Sequence, residues 1–218
     1  MLNIVHALCP FIVCPYECKF CCAKDNKTNQ NIQLTPDYWE TLENSLVLGE
    51  YRNIMLTGDT EPTLFPKWLS HITHLANRHG IITELRTHNY NYHPVDVQFS
   101  QVWYSITDVK DLIRLPELYN KGKQFANEVN FAFLINKDFK AIDIIKARQI
   151  LPGSKLTIRY LLDDCGNEAV AQWVRFNRIE FNPNEEETLA SYNIYIKRNY
   201  LTKYNIIRQD GKIYYEWQ

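Results

Sequence analysis

Arg52-Asn53-Ile54-Met55-Leu56-Thr57 precedes a turn, then Pro66-Lys67-Trp68-Leu69-Ser70-His71-Ile72-Thr73-His74-Leu75, then Gly80 and Ile81-Ile82-Thr83-Glu84-Leu85-Arg86-Thr87. The first run is short, apolar and rich in strand formers, so it reads as a buried strand. Pro66 suits the first position of a helix, where its missing N–H costs nothing. Trp68, Ile72 and Leu75 then recur at helical spacing, and Gly80 fits the left-handed residue that ends such a helix. The run 81–87 is again a strand. One strand–helix–strand unit is complete within residues 52–87.

The alternation continues in both directions. Upstream, residues 3–8 read as a strand, and Thr35-Pro36-Asp37 supplies an N-cap, a first-turn proline and an acidic residue for a helix whose Trp39, Leu42 and Leu46 share one face. Downstream, strands are expected at 102–107, 129–135 and 155–162, with a further one at 177–181. A helix over 138–151 lines up Phe139, Ile142 and Ile145 and stops at Pro152-Gly153. Strands joined by helical crossovers make a mainly parallel sheet. About six such units fit a partial (β/α)6 TIM-like barrel rather than a closed eight-unit one, with an open doubly wound sheet as the alternative. Residues 1–218 form a single domain in this reading, with a barrel core over about 1–183 and a C-terminal extension over about 184–218. Within the extension, Asp210-Gly211 between apolar runs at 204–217 signals an appended two-residue β-hairpin. Asn184 before Glu185, Glu186 and Glu187 reads as an N-cap with an acidic first turn, not as a carboxylate metal site.

Composition excludes several classes. With 24 Lys+Arg against 25 Asp+Glu and a formal charge of -1, no global field draws the chain to nucleic acid or to an anionic membrane. No apolar run approaches the roughly 18 residues of a membrane span, and no secretory signal opens the sequence, so a cytoplasmic location is expected. Five of the six cysteines, Cys9, Cys14, Cys18, Cys21 and Cys22, are bunched at the start and Cys165 stands apart. A disulfide scaffold spreads its cysteines along the chain, whereas bunched thiols point to a metal site.

Cys14-Pro15-Tyr16-Glu17-Cys18-Lys19-Phe20-Cys21 carries a C-x3-C-x2-C spacing directly after the first strand. A structural zinc site wants a fourth protein ligand, for which Cys9, Cys22 or Cys165 is available, and its usual paired C-x2-C knuckles are missing. A [4Fe-4S] cluster on three cysteines leaves one iron open to a reactant. The triplet therefore reads more easily as catalytic than as structural.

The segment resembles the signature of the radical S-adenosylmethionine (radical SAM) superfamily, C-x3-C-x-aromatic-C, matched by Cys14, Cys18, Phe20 and Cys21. A second segment, Leu56-Thr57-Gly58-Asp59-Thr60-Glu61-Pro62-Thr63-Leu64, resembles the superfamily's G-G-E-P motif, with Glu61 and Pro62 matching and Asp59 and Thr60 in place of the glycines. The resemblance implies a cluster held by Cys14, Cys18 and Cys21 and S-adenosylmethionine chelating the fourth iron. It also implies Phe20 near the adenine and the segment Gly58, Asp59, Thr60, Glu61 and Pro62 offering acceptors to the cofactor's ammonium. Ser105 and Asp108 are candidates for the ribose hydroxyls, though strand-end Ser and Asp are also ordinary turn and cap residues. Arg159 is a candidate for the cofactor's carboxylate.

The activity implied is reductive cleavage of S-adenosylmethionine to a 5′-deoxyadenosyl radical, which takes hydrogen from a small-molecule, nucleotide-like or peptide substrate. The electron comes from a donor such as flavodoxin or ferredoxin. Two further readings stay open: an activating enzyme that makes a glycyl radical on a partner protein, and a zinc-stabilised binding module without catalysis. His88, after a strand at the expected C-terminal mouth of the barrel, and Cys165, in Asp163-Asp164-Cys165-Gly166, are the candidate catalytic side chains. His71, His74 and His79 read instead as the polar face of an exposed helix.

Overall fold

The structure, a computed structural model, describes residues 4–9, 14–16, 34–57, 60–94, 96–134, 138–159, 183–197, 205–207 and 210–214. Strands β1 (Ile4–Leu8), β2 (Asn53–Thr57), β3 (Ile82–Thr87), β4 (Phe99–Ile106), β5 (Ala126–Leu134) and β6 (Leu156–Arg159) follow one another with helices between most of them. Those helices are α1 (Pro36–Leu48), α2 (Pro66–Arg78), α3 (Leu115–Gly122) and α4 (Ala141–Ile150). Helix α5 (Pro183–Ser191) and strands β7 (Tyr195–Lys197), β8 (Asn205–Ile207) and β9 (Ile213–Tyr214) complete the described elements. The expected strand at 177–181 and the end of the strand expected to reach 162 lie outside the described residues.

The sheet order is β7-β6-β5-β4-β3-β2-β1-β8-β9, and every pair is parallel except β8 with β9. From β1 to β7 the order never reverses. A doubly wound sheet reverses at a switch point and carries helices on both faces; a sheet that always steps the same way keeps its helices on one face, as a barrel does. Among the described strands β7 and β9 are not paired to each other, so the sheet is an unclosed, barrel-like one.

Side-chain parity makes the two faces chemically different. Val5, Ala7, Ile54, Leu56, Leu85, Val102, Tyr104, Ile106, Phe131, Phe133, Leu156 and Ile158 are fully buried on one face, in one apolar cluster with Leu42, Leu46, Leu69, Ile72, Leu115, Leu118 and Ile144 of the helices. Each valine, leucine, isoleucine or phenylalanine among them contributes about 1.5–3 kcal/mol through removal from water. The register places Asn53 and Met55, Glu84 and Arg86, Gln101, Trp103 and Ser105, Asn130, Thr157 and Arg159 on the opposite face, which lines the inside of the curved sheet. A polar inner face is what a ligand-binding barrel needs and what a packed core does not.

Local signals set the element ends. The Thr35 hydroxyl accepts from the Tyr38 N–H at 3.3 Å, capping α1, and Gly80 adopts φ 67° after α2. Several expectations need correction. In α1 the buried residues are Tyr38, Leu42 and Leu46, while Trp39 is half-buried and stacks on His71 at 3.8 Å. Tyr38 tolerates the core because its hydroxyl receives the Trp68 indole N–H at 3.0 Å, and burial pushes its pKa up to about 12. Helix α4 starts at Ala141, not 138, and leaves Ile142 half exposed while Ile144 and Ile145 are buried. Asn184 lies inside α5 and is not its cap.

The C-terminal hairpin is part of the sheet, not an appendage. β8 pairs in parallel with β1, and the pairs Ile206–Tyr214 and Ile207–Ile213 leave residues 208–212 as the connection, longer than the two residues expected. Gly211, at φ 76°, takes the Ser45 hydroxyl on its carbonyl at 3.0 Å, and a Cβ there would press on the Tyr38 carbonyl at 3.2 Å. No helix among the described residues is long and apolar enough to cross a membrane.

Candidate functional site

The C-terminal ends of the parallel strands bring together the loops after β1, β2, β3 and β4. The loop after β2 folds into a single 3-10 turn at Pro62–Leu64, with Glu61 as its cap. Glu61 is 5% exposed, and its carboxylate is saturated with donors. Oε1 accepts from the Thr63 N–H at 3.2 Å, the Thr63 hydroxyl at 2.8 Å and the Thr87 hydroxyl at 2.7 Å; Oε2 accepts from the His88 N–H at 2.9 Å. Asn89 closes the same network, donating from its backbone to Thr87 Oγ1 at 2.8 Å and from its side chain to Thr63 Oγ1 at 2.9 Å. Within the segment expected to face S-adenosylmethionine, the Glu61 side chain thus points inward and clamps the loop after β2 to the end of β3. Thr60 and Pro62 are buried beside it, and Gly58 and Asp59 lie outside the described residues.

His88 is held on three sides. Its backbone N–H is on Glu61, its ring lies 4.9 Å from that of Tyr16, edge-on, and 5.1 Å from that of Tyr90. Nδ1 sits 3.1 Å from the Ser105 carbonyl. A carbonyl only accepts, so in the neutral ring Nδ1 carries the proton and Nε2 keeps its lone pair. Burial lowers the His88 pKa below the usual 6.5, more than Glu61 and the Ser105 carbonyl raise it. The unfolded chain therefore takes up a proton at residue 88 that the folded chain refuses, and stability falls as the pH drops below about 6.5. In His88→Gln that part of the slope is expected to disappear, read by urea denaturation at about pH 7.5 and about pH 5.5.

Tyr16 belongs to the Cys14–Cys18 spacing, so its contact with His88 ties the cysteine loop to the same mouth. Cys14 is exposed there. Cys18, Phe20, Cys21, Cys22 and Cys165 lie outside the described residues. Cys9 is different: its N–H continues the sheet onto the Thr57 carbonyl at 3.0 Å, and its side chain is fully buried in the apolar core with Tyr38. Parity therefore turns it toward the helices and away from the inner face.

Ser105 contributes its carbonyl, which the Tyr90 hydroxyl also reaches at 2.8 Å, and its half-buried side chain shares the inner face. Asp108 is exposed and caps the 3-10 turn Val109–Arg114, accepting from the Lys110 N–H at 2.8 Å. Arg159 ends β6 on the inner face; its Nε is buried with no acceptor among the described residues. The histidines of α2 stay on the outer surface: His71 and His74 are exposed, and His79 joins Glu43 at 2.7 Å. No group of three metal-ligating side chains occurs among the described residues.

Reasoning from sequence missed the inner-face residues Glu84, Arg86, Gln101 and Trp103. Their signal is the alternation Glu84-x-Arg86 and Gln101-x-Trp103-x-Ser105 in two adjacent strands whose intervening residues are apolar or threonine. That pattern reads equally as a solvated sheet face until the barrel encloses it.

No family model matches the chain, and no curated protein matches it. Among solved structures, the fold is similar to Streptococcus suis SuiB bound to precursor peptide SuiA, with a TM-score of 0.63 and 12% identity over 90% of this chain and 49% of that one. The chain thus spans about half the length of SuiB. It is also similar to native anSMEcpe with bound AdoMet, with a TM-score of 0.59 and 12% identity over 97% of this chain and 73% of the other. At this identity the two likenesses show a shared fold.

Proposed function

We propose that the chain is a radical SAM enzyme that cleaves S-adenosylmethionine and abstracts hydrogen from a substrate held against the inner face of the barrel. The observation that carries this is the convergence of the cysteine loop and the Glu61 segment on one residue at the C-terminal mouth: the Tyr16 ring packs edge-on against the ring of His88, and the Glu61 carboxylate accepts from its backbone N–H. The fold shared with anSMEcpe, which has bound AdoMet, supports it.

The residues described fit the cofactors. Cys14 offers a thiol at the mouth, and the orphaned Arg159 Nε on the inner face calls for an oxygen acceptor such as a carboxylate. On this reading Cys14, Cys18 and Cys21 hold a [4Fe-4S] cluster. Phe20, the segment from Gly58 to Pro62, Ser105, Asp108 and Arg159 hold S-adenosylmethionine. Bound, the cluster would relay one electron to S-adenosylmethionine, and the pair would supply, by its reductive cleavage to methionine, a 5′-deoxyadenosyl radical. The chain's own part is positional. Glu61 fixes the loop after β2 against the end of β3, and with it the backbone of His88. On this reading His88, with Nδ1 on the Ser105 carbonyl and Nε2 as acceptor, receives a hydrogen bond or a proton from a bound molecule. An external donor such as flavodoxin or ferredoxin provides the electron. Peptide is one substrate class, supported by the precursor peptide bound to SuiB.

The test is anaerobic reconstitution with iron and sulfide, then incubation with S-adenosylmethionine and dithionite. Formation of 5′-deoxyadenosine is the expected result. A colourless protein that keeps zinc and no labile sulfide after reconstitution overturns the reading.

A further inference from the structure

Arg86 lies on the inner face of β3, one residue before the strand's C-terminal end. It is 9% exposed and Glu84, two residues earlier on the same face, is 6% exposed. A buried guanidinium needs acceptors for its N–H groups. The Nε donates to Glu84 Oε1 at 2.6 Å, and Nη2 pairs with the same oxygen. Trp103, directly opposite in register on β4, places its ring 5.1 Å from the guanidinium carbon. Nη1 is buried with no acceptor among the described residues. One edge of the guanidinium is therefore gripped and one face seated, while Nη1 is left without an oxygen among the described residues.

The neighbouring polar groups do not supply that oxygen. Gln101 Oε1 takes the Trp103 indole N–H at 3.3 Å and the Asn130 amide at 3.4 Å, and Asn130 Oδ1 takes the Lys155 N–H at 3.0 Å. Nor does packing alone explain the pair. Buried ion pairs are commonly no more stabilising than well-packed apolar residues, and the other face of these same strands is filled by Leu85, Val102 and Tyr104. Glu84 keeps the guanidinium oriented and the site neutral until a ligand arrives.

We propose that Arg86, gripped by Glu84 and seated on Trp103, is an anion subsite for the substrate that takes a carboxylate or phosphate group on its Nη1 edge. The planar guanidinium edge matches the oxygens of both groups. This rests on the radical SAM reading, in which the substrate occupies the inside of the barrel.

The reconstituted protein is titrated anaerobically with acetate, with inorganic phosphate and with acetamide as the neutral counterpart of acetate, following tryptophan fluorescence. An anion on Nη1 alters the cation lying on Trp103, so a saturable signal is expected with acetate, with phosphate or with both, and none with acetamide. Trp103→Phe should abolish the signal. Arg86→Gln should weaken binding at least about tenfold, the scale of one charge-assisted hydrogen bond. Because Arg86→Gln strands Glu84, the neutral double variant Glu84→Gln/Arg86→Gln, checked for folding by circular dichroism, is read alongside, with the same loss expected. Acetate alone identifies a carboxylate source and phosphate alone a phosphate source.

The subsite is overturned by the absence of a Trp103-dependent signal with either anion, by an equal response to acetamide, or by wild-type affinity in the double variant. It is also overturned if saturating S-adenosylmethionine abolishes the signal, since Arg86 would then serve the cofactor. Formation of 5′-deoxyadenosine by the wild type is measured separately. Deoxyadenosine without an anion response sinks the subsite alone, and an anion response without deoxyadenosine sinks the radical reading alone.

Discussion

Cys14→Ala, Cys18→Ala and Cys21→Ala are each expected to lose the bound iron and labile sulfide and to bring 5′-deoxyadenosine formation down to background, whereas Cys9→Ala keeps both. On the proposed reading three thiolates would hold three irons of an open cluster, so no single one is dispensable. The fold separates Cys9, which is buried, from Cys14, which is exposed, for a geometric reason. Cys9 continues β1 with its side chain among the helix-covered core residues, while Tyr16, two residues after Cys14, reaches the ring of His88 at the mouth. Iron and sulfide analysis of the four variants, with folding followed by circular dichroism, checks the ligand set independently of turnover. Retention of the cluster in Cys14→Ala together with its loss in Cys9→Ala would move the site to the other side of β1.

Glu61→Ala is expected to have the second largest effect, on stability and on cofactor binding together. Removing the carboxylate strands four donors from Thr63, Thr87 and His88 in a site where Glu61 itself is 5% exposed. Leaving buried donors unsatisfied costs about 1–3 kcal/mol each, reduced by relaxation and water entry, so a loss of about 3 kcal/mol is expected in urea denaturation. The loop after β2 is then no longer clamped to β3, and the KM for S-adenosylmethionine should rise well over tenfold. Glu61→Gln should fall between wild type and alanine. It keeps one acceptor oxygen for the threonines but turns an amide donor toward the His88 N–H. If Glu61→Ala retains wild-type stability and KM, the clamp has no role in holding the site.

Much of this architecture is legible in the residues because the signals are local. The apolar alternation of β2 and β3, the Thr35 cap and the left-handed Gly80 each report on backbone within a few residues, and each stands in the structure where the pattern puts it. Failures occur where a distant partner decides. The inward side of α4 is chosen by the strands it covers, so Ile142 of the expected stripe is exposed and Ile144 is buried. Strand β7 is only three residues long and owes its existence to pairing with β6.

The candidate site divides in the same way. The cysteine spacing and the Glu61-Pro62 segment are each local, and their resemblance to the radical SAM signatures is legible without any fold. By contrast, Glu61 and Thr87 are 26 residues apart, and their hydrogen bond exists because parallel strands bring successive loops to one end. Arg86 and Glu84 look like solvated residues along one strand, and Trp103 like core. Burial inside the curved sheet is what turns the three into one buried, partly satisfied charge centre.

By itself, then, the sequence determined the alternation of elements, the Thr35 cap and the spacing of the thiols, because these depend on backbone preference and side-chain chemistry at short range. Tertiary structure alone decided three things: that the sheet steps one way and so leaves a polar inner face, that Cys9 turns away from that face, and that Arg86 ends inside it. Each depends on strand order and on which face the helices cover, and no residue encodes that separately from the rest of the chain.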